Sequence, residues 1–338
     1  MERSGITAAG NWIIDQVKII DCYPQQDHLS SILSESTGTG GCAYNTLIGL
    51  RLLDDEIPLQ GIGVVGADRN GEGILHHMDR LHIDRTYMKQ SNLQPTSYTD
   101  VMTVEATGRR TFFHNRGANA LLNGEDFEFD QIDSKILHLG YLMLLDELDA
   151  PDPANPDRPA AARVLEEAHA AGLKTSLDMV TDLSPRLHQV VRPTLPFVDY
   201  LIVNELEAGA LAGTEARTGE SLNRDILDAI AGKLFDLGVQ ETVVIHMPEG
   251  GFWQSKNQRG IWQPSLDVPQ EFIRGSAGAG DAFCAGILYG LHEGWEPVRT
   301  LQLACCHAAQ SLSDPTTTNG LLPMQSTLKL IDRFGFRK

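Results

Sequence analysis

The run Arg274-Gly275-Ser276-Ala277-Gly278-Ala279-Gly280-Asp281 crowds small side chains ahead of one aspartate, and an apolar stretch with helical spacing follows over residues 284–291. Small residues let a backbone turn tightly with its N–H groups unshielded, and a helix that starts there adds the positive end of its dipole. Such a corner holds an anion. An aspartate at its entrance stands beside the anion, where it can accept the proton of a hydroxyl that attacks it. Phosphoryl transfer to an alcohol needs those parts, since its catalysis is mostly positioning and charge stabilisation and a weak base suffices. The stretch alone is equally compatible with a Gly-rich turn in which Asp281 caps a helix.

A second loop-to-helix step precedes it in the chain. Residues 36–41, Ser-Thr-Gly-Thr-Gly-Gly, read as a turn-rich loop feeding a helical pattern over 42–50, with Asn45 in its first turns. Residues 6–21 are extended and β-branched, and Asp15 interrupts the apolar Trp12-Ile13-Ile14 where a strand would leave a sheet, a costly acid to bury without a partner. Residues 97–105 alternate, 106–109 turn and 110–114 resume, which predicts a hairpin. With the strand region near 12–36 this hairpin predicts a small separate sheet. His114, Arg116 and Asn119 at its exit are candidates to face a ligand, with a solvated loop as the alternative.

The elements that must position these groups read as strand and helix in turn. Strands are expected at 136–142, 175–179, 200–203 and 242–246, and helices at 160–171, 205–211, 222–237 and 298–313, which predicts a parallel, doubly wound α/β sheet. Asp178, Asn204 with Glu207, and His246 fall at strand carboxyl ends, where open α/β sheets bind ligands. Asn204 and Glu207 also have capping-box spacing. Residues 149–156, rich in Pro and Asp, are expected to be a surface insertion. His307, on a small-residue helix face, is more often a core histidine than a ligand.

Composition narrows the function classes. At 338 residues and 42% hydrophobic the chain can bury a large core, and the formal charge of −18 argues against a nucleic-acid or anionic-membrane partner. Five cysteines include no CxxC pair and read as reduced thiols of a cytoplasmic protein, and no stretch approaches the roughly 18 apolar residues of a membrane span. The eleven histidines contain no HExxH, and no GxxxxGK[ST] loop is present. Gly61-Ile62-Gly63-Val64-Val65-Gly66 formally matches the dinucleotide fingerprint, but Val64 and Val65 prolong a strand and the helix is expected only after residue 71, too late to meet a pyrophosphate. Gly38-x-Gly40-x-x-Ala43 has the better loop-to-helix context for that alternative, behind a weak strand at 29–35.

Gly278-Ala279-Gly280-Asp281-Ala282-Phe283 resembles the second signature of the ribokinase-like (PfkB) carbohydrate kinases, and Gly40-Gly41 with Asn45 resembles the first. The resemblance implies a single ribokinase-like α/β domain over 1–338, mostly parallel, with a β-sheet lid from about 12–36 and 95–118. It implies Asp281 as catalytic base, an anion hole from Ser276, Gly278, Ala279 and Gly280, and sugar hydroxyls held by Asp15, Gly40, Gly41 and Asn45. Asn204-Glu205-Leu206-Glu207 resembles the family's Asn-x-x-Glu element, which implies that Glu207 organises Mg²⁺ and its waters. His246 and Gly251 fall where relatives border the nucleotide, and the region of His307 where they pack adenine. ATP, a sugar, a cytoplasmic location and a homodimer through the lid are implied in the same way. Gly275 stands where the family usually carries an aspartate that helps hold a monovalent cation. Sugar phosphorylation is therefore expected first. A nucleoside kinase of the same fold, an NAD-dependent oxidoreductase and a catalytically silent ligand-binding relative are the alternatives.

Overall fold

A computed structural model describes residues 3–182, 184–219 and 221–338. In chain order its strands are β1 (Ile6–Gly10), β2 (Ile13–Ile20), β3 (Ile32–Gly40), β4 (Leu59–Gly66), β5 (Asp84–Ser91), β6 (Ser97–Val104), β7 (Arg110–Asn115), β8 (Ile136–Leu142), β9 (Pro151–Asp152), β10 (Asn155–Pro159), β11 (Lys174–Met179), β12 (Tyr200–Asn204), β13 (Arg217–Thr218), β14 (Ser221–Leu222), β15 (Thr242–Met247), β16 (Gly250–Ser255) and β17 (Ile261–Pro264). The helices are α1 (Cys42–Leu53), α2 (Arg69–Arg80), α3 (Asp146–Asp149), α4 (Ala160–Ala170), α5 (Arg186–Val190), α6 (Glu205–Ala212), α7 (Leu227–Asp236), α8 (Ala279–His292), α9 (Pro297–Ser311) and α10 (Met324–Phe334).

Nine strands form one sheet in the order β17-β16-β15-β12-β11-β8-β1-β4-β5, parallel from β15 to β5 and antiparallel at the β15-β16-β17 edge. Their near-continuous apolar runs bury both faces, as a parallel sheet requires. One face packs against α1, α2, α8 and α9, the other against α4, α6 and α7. From β1 the chain steps outward to β4 and β5, then returns through β8 on the other side of β1. The carboxyl ends of β1 and β8 therefore flank the topological switch point, where such sheets leave a ligand crevice.

A second sheet, β3-β2-β6-β7, stands apart from the first. It is mixed, because β2 runs parallel to β6 while the other pairs are antiparallel. The turn-rich loop expected at 36–41 is mostly strand here, with β3 continuing through Gly40, because its Thr and Gly residues pair with β2 (Ile13 opposite Gly40, Asp15 opposite Gly38). The helix expected over 222–237 begins only at Leu227, since Ser221–Leu222 pairs with β13 and a single 3₁₀ turn intervenes. Residues 149–156 contribute β9 and the start of β10, which pair as a short hairpin.

The expected late helix after Gly66 starts instead at Arg69, with Asp68 as its cap. Asp68 accepts from Gly71 N–H at 2.9 Å, Thr96 N–H at 2.8 Å and Thr96 Oγ1 at 2.6 Å, and Gly66 N–H donates to Thr96 Oγ1. The N–H groups of Gly66, Gly71 and Thr96 at this turn are thus spent within the chain rather than turned to a pyrophosphate. Gly63 is needed for close approach, because a Cβ there would run into the Trp12 indole, whose Nε1 donates to Ile62 O at 3.0 Å.

One buried side chain ties the two sheets at the switch point. Asn119 accepts from Trp12 N–H at 3.1 Å and donates to Asn11 Oδ1 at 3.2 Å and Trp12 O at 3.3 Å, while Asn11 Nδ2 reaches Tyr141 O at the end of β8. Asn119→Ala leaves a buried N–H and two acceptors without their partner, so urea denaturation should show a loss of about 1–3 kcal/mol. An unchanged midpoint and slope would contradict this anchoring role.

Candidate active site

α8 starts on Gly278, whose φ of +75° is the left-handed conformation that only glycine adopts without strain. A Cβ there would also press on Thr317. The turn releases a 14-residue helix whose first N–H groups have no intrahelical acceptor. Asp281, in that first turn, is only 3% exposed. Its Oδ2 accepts from Asn45 Nδ2 of α1 at 2.7 Å and its Oδ1 from the Tyr141 hydroxyl at 3.1 Å. Tyr141 and Met143, at the end of β8, hold positive φ angles of 52° and 87°, a strain that side chains accept only where surrounding structure fixes them.

Two cavities meet at this turn. One, of about 690 Å³, lies between the small sheet and the switch point and is lined by Asp15, Asn45, Arg109, Arg110, His114, Tyr141 and Asp281, with Gly41 and Gly278. The other, of about 500 Å³, is an apolar slot with walls from Met247, Pro248, Leu266, Val268, Phe283 and Leu312 and polar groups Asn204 and His246 at its edge. Ser276 and Gly280 line both.

The sequence matches the profile of the pfkB family carbohydrate kinases over residues 9–324. The chain belongs to that family. It is a sugar kinase in the phosphotransferase sense. The pfkB-family chain is 24% identical to a ribokinase of Arabidopsis thaliana over 92% of its own length and 77% of the relative's. It is 20% identical to a deoxyribokinase of Salmonella typhi over 97% of both chains. The solved structure of Arabidopsis thaliana ribokinase complexed with ribose and ATP has the same fold, with a TM-score of 0.79 at 21% identity, covering 97% of this chain and 99% of that one.

Of the residues that the family resemblance singles out, the first cavity gathers Asp15, Gly41, Asn45, His114, Ser276, Gly278, Gly280 and Asp281. Gly40 sits directly against the Asp15 carboxylate. The slot gathers Asn204, His246, Ser276, Ala279 and Gly280. Four of the expected residues face elsewhere. Asn119 is spent on the Trp12 backbone, as described. Arg116 points out of the hairpin to Met143 O and Asp146, at 3.2 and 2.5 Å. Gly251 turns toward the Phe283 ring and Leu301, and its neighbour Gly250 lines the slot instead. His307 is fully buried against Gly49 of α1, and burial lowers its pKa to about 3, so it is a neutral core histidine.

Glu207 lies just below the slot, almost fully buried, and closes the capping box with Asn204. Its carboxylate accepts from Thr181 Oγ1 at 2.6 Å, Asn204 Nδ2 at 2.8 Å and Asn204 N–H at 3.0 Å, yet burial still raises its pKa to about 7. Asp178 is pushed up too, by burial and then by Cys284 and Glu207. His246, beside the Phe283 ring at 5.3 Å, is lowered to about 4 by desolvation and is neutral.

Sequence reasoning missed Arg110, Tyr141 and Thr99. Arg110 faces Asp15, and its Nη2 lies 3.0 Å from where a side chain at Gly275 would begin. Its signal was the Arg109-Arg110 pair beside the hairpin turn. Tyr141 carried no sequence signal beyond the end of a strand.

Asp281 is expected from its place at a helix N-terminus to be held firmly ionised, but the structure differs. Burial outweighs the hydrogen bonds from Asn45 and Tyr141 and raises its pKa to about 6. Burial, and then the charge of Asp281, raises Asp15 to about 7, against the opposing effects of Thr99 and Arg110. A carboxylate whose folded pKa exceeds its unfolded value costs stability when ionised. That cost is absent below about pH 4 and complete above about pH 6 for Asp281. Asp281→Asn removes the charge, and its amide can still accept from Asn45 and donate to the Tyr141 oxygen. Its melting temperature at pH 7.5 should therefore equal or exceed that of the parent. Carboxyl NMR of the parent should give an Asp281 midpoint near 6, and a midpoint near the ordinary 4 would contradict the desolvation argument.

Proposed function

We propose that the protein transfers the γ-phosphate of ATP to a hydroxyl of a sugar or sugar derivative, with Asp281 as the general base. The observation that carries this reading is that Ser276 and Gly280 line both cavities, with Asp281 in the wall of the polar one. A nucleotide in the slot would stack its base among Val268, Phe283 and Leu312 and run its phosphates toward residues 276–280. There the unpaired N–H groups and dipole of α8 meet the transferred phosphoryl group. A sugar in the polar cavity would bring a hydroxyl to Asp281 from the opposite side, in line with the leaving oxygen.

Asp281 accepts the hydroxyl proton as the bond to phosphorus forms. Its raised pKa makes it a stronger base than an exposed carboxylate while leaving it mostly ionised above pH 6. The hydrogen bonds from Asn45 and Tyr141 fix which oxygens face the substrate. Asp15 and Asn45 would take sugar hydroxyls, with Arg110 and His114 closing the cavity from β7. The expected location of the sugar under the small sheet makes that sheet a lid on one continuous domain. Its exposed Leu33 and Phe113 support a lid-mediated homodimer.

The donor groups fit a hydrated Mg²⁺. Glu207 and Asp178 are two carboxyls that burial pushes toward protonation, with the charge of Glu207 adding to the rise at Asp178, a condition that a nearby divalent cation relieves. Glu207 has its oxygens occupied by Thr181 and Asn204, so it would hold waters of the ion rather than the ion itself. The ion's part is to neutralise phosphate charge. Asn204 and Glu207 anchor its hydration shell, and ATP as donor is supported by the ATP-bound ribokinase of the same fold.

A screen of γ-labelled ATP over sugars, sugar acids and nucleosides tests the reading. Label should appear on a sugar or sugar acid. Asp15→Ala and Asn45→Ala should each weaken binding of that substrate by about 1–3 kcal/mol. Label on nucleosides alone would move the protein to the nucleoside kinases. Thermal stabilisation by NAD with no phosphorylated product would overturn the proposal.

A further inference from the structure

Directly behind Asp281 lies a cluster of which the phosphoryl-transfer reading uses only Asp178. Cys42 begins α1, His138 sits mid-strand in β8, Asp178 ends β11 and Cys284 follows Asp281 by one turn of α8. All four are buried. Cys42 Sγ stands 3.2 Å from His138 Nε2 and 3.0 Å from Asp178 Oδ2, and Cys284 Sγ stands 3.7 Å from the same His138 nitrogen. The donor atoms of Cys42, His138 and Cys284 all lie within 4.8 Å of one another.

Ligands placed about 2.0–2.3 Å from a tetrahedral ion are separated by roughly 3.3–3.8 Å, so the two sulfur-to-nitrogen spacings lie at or near tetrahedral edges. The imidazole is also prepared in the way a ligating histidine usually is. Its Nδ1 is tied to Ser176 Oγ at 3.0 Å, which leaves Nε2 aimed between the two sulfurs. One nitrogen can share at most one proton with two thiols, and the Cys42 thiol is directed to Asp178 Oδ2 instead. Two sulfurs with an imidazole favour a soft or borderline ion over Mg²⁺. The Cys42 thiol, Asp178 and Asp281 also share a 4.8 Å neighbourhood, and Asp281 lines the polar cavity, so the cluster lies directly behind that wall.

We propose that Cys42, His138 and Cys284 form a three-ligand binding site for a soft divalent transition metal of the Zn²⁺ class, distinct from the Mg²⁺ expected with the nucleotide. The site sits one helical turn below Asp281 and binds the ion without any reacting substrate.

The test uses the full chain, stripped with a chelator, kept reduced and free of nucleotide. Titration with Co²⁺ should give one equivalent of binding, with an intense near-ultraviolet thiolate-to-cobalt band and the strong visible bands of tetrahedral cobalt. Zn²⁺ should displace it. Cys284→Ala should lose about half of the thiolate band, and Ser176→Ala, which removes only the hydrogen bond behind His138, should weaken Zn²⁺ binding by about 10–100-fold against a chromophoric chelator. A weak octahedral spectrum in the unaltered protein would overturn the proposal, whatever the variants do. So would a thiolate band that keeps its full intensity in Cys284→Ala, or loss of two thiols to a Cys42–Cys284 disulfide in the reduced preparation.

Discussion

A carboxylate buried at the start of a helix must be solvated by the protein itself, and the donors that do so for Asp281 come from far along the chain. Asn45 is 236 residues away and Tyr141 is 140. Their convergence fixes α1, the end of β8 and the first turn of α8 relative to one another. Had either donor been absent, the acid would have been left short of a partner at a cost of about 1–3 kcal/mol. The strained backbone at Tyr141 follows from the same demand, because the hydroxyl must reach over the end of its own strand.

Around that point the doubly wound sheet leaves its crevice between β1 and β8. The small sheet grows out of the same place, since only Asn11 and Trp12 separate β1 from β2. Asn119 locks that corner. The small sheet is therefore held where its inner face, with Asp15 and Arg110, looks onto Asp281. The apolar slot forms on the other side of the glycine turn, walled by β15, β16 and α9. Two chemically different cavities thus share one short stretch of backbone donors. Burial explains the electrostatics. Asp15 and Asp281 are both raised by their own burial, the charge of Asp281 adds to the rise at Asp15, and Arg110 offsets only part of it there.

Much of this was legible in the sequence because it was local. Gly278 to Asp281 signalled a turn into a helix, Asn204 and Glu207 a capping box, and residues 97–114 a hairpin, each from neighbouring residues. The parallel sheet followed from alternation of strand and helix. What could not be read depended on packing. Asn119 and Arg116 looked like cavity residues because they follow a hairpin, but pairing with Trp12 and Asp146 turned both away. The Gly-Thr-Gly run at 38–40 reads as a loop until β2 is available to pair with it. The raised pKa of Asp281 reflects how much protein covers it, which no helix-terminus argument contains. Tyr141 is one polar residue at the end of an apolar strand, and the buried cluster of Cys42, His138, Asp178 and Cys284 draws on four separate elements.

The account stands on Asp281 acting as a base rather than as a cap. Single-turnover phosphoryl transfer in Asp281→Asn, with ATP and the acceptor sugar both shown to bind, measures that directly. The account predicts a rate about 10²–10⁴-fold below the parent, with both affinities retained. A variant that binds both substrates and transfers phosphate at close to the parent's rate would contradict it.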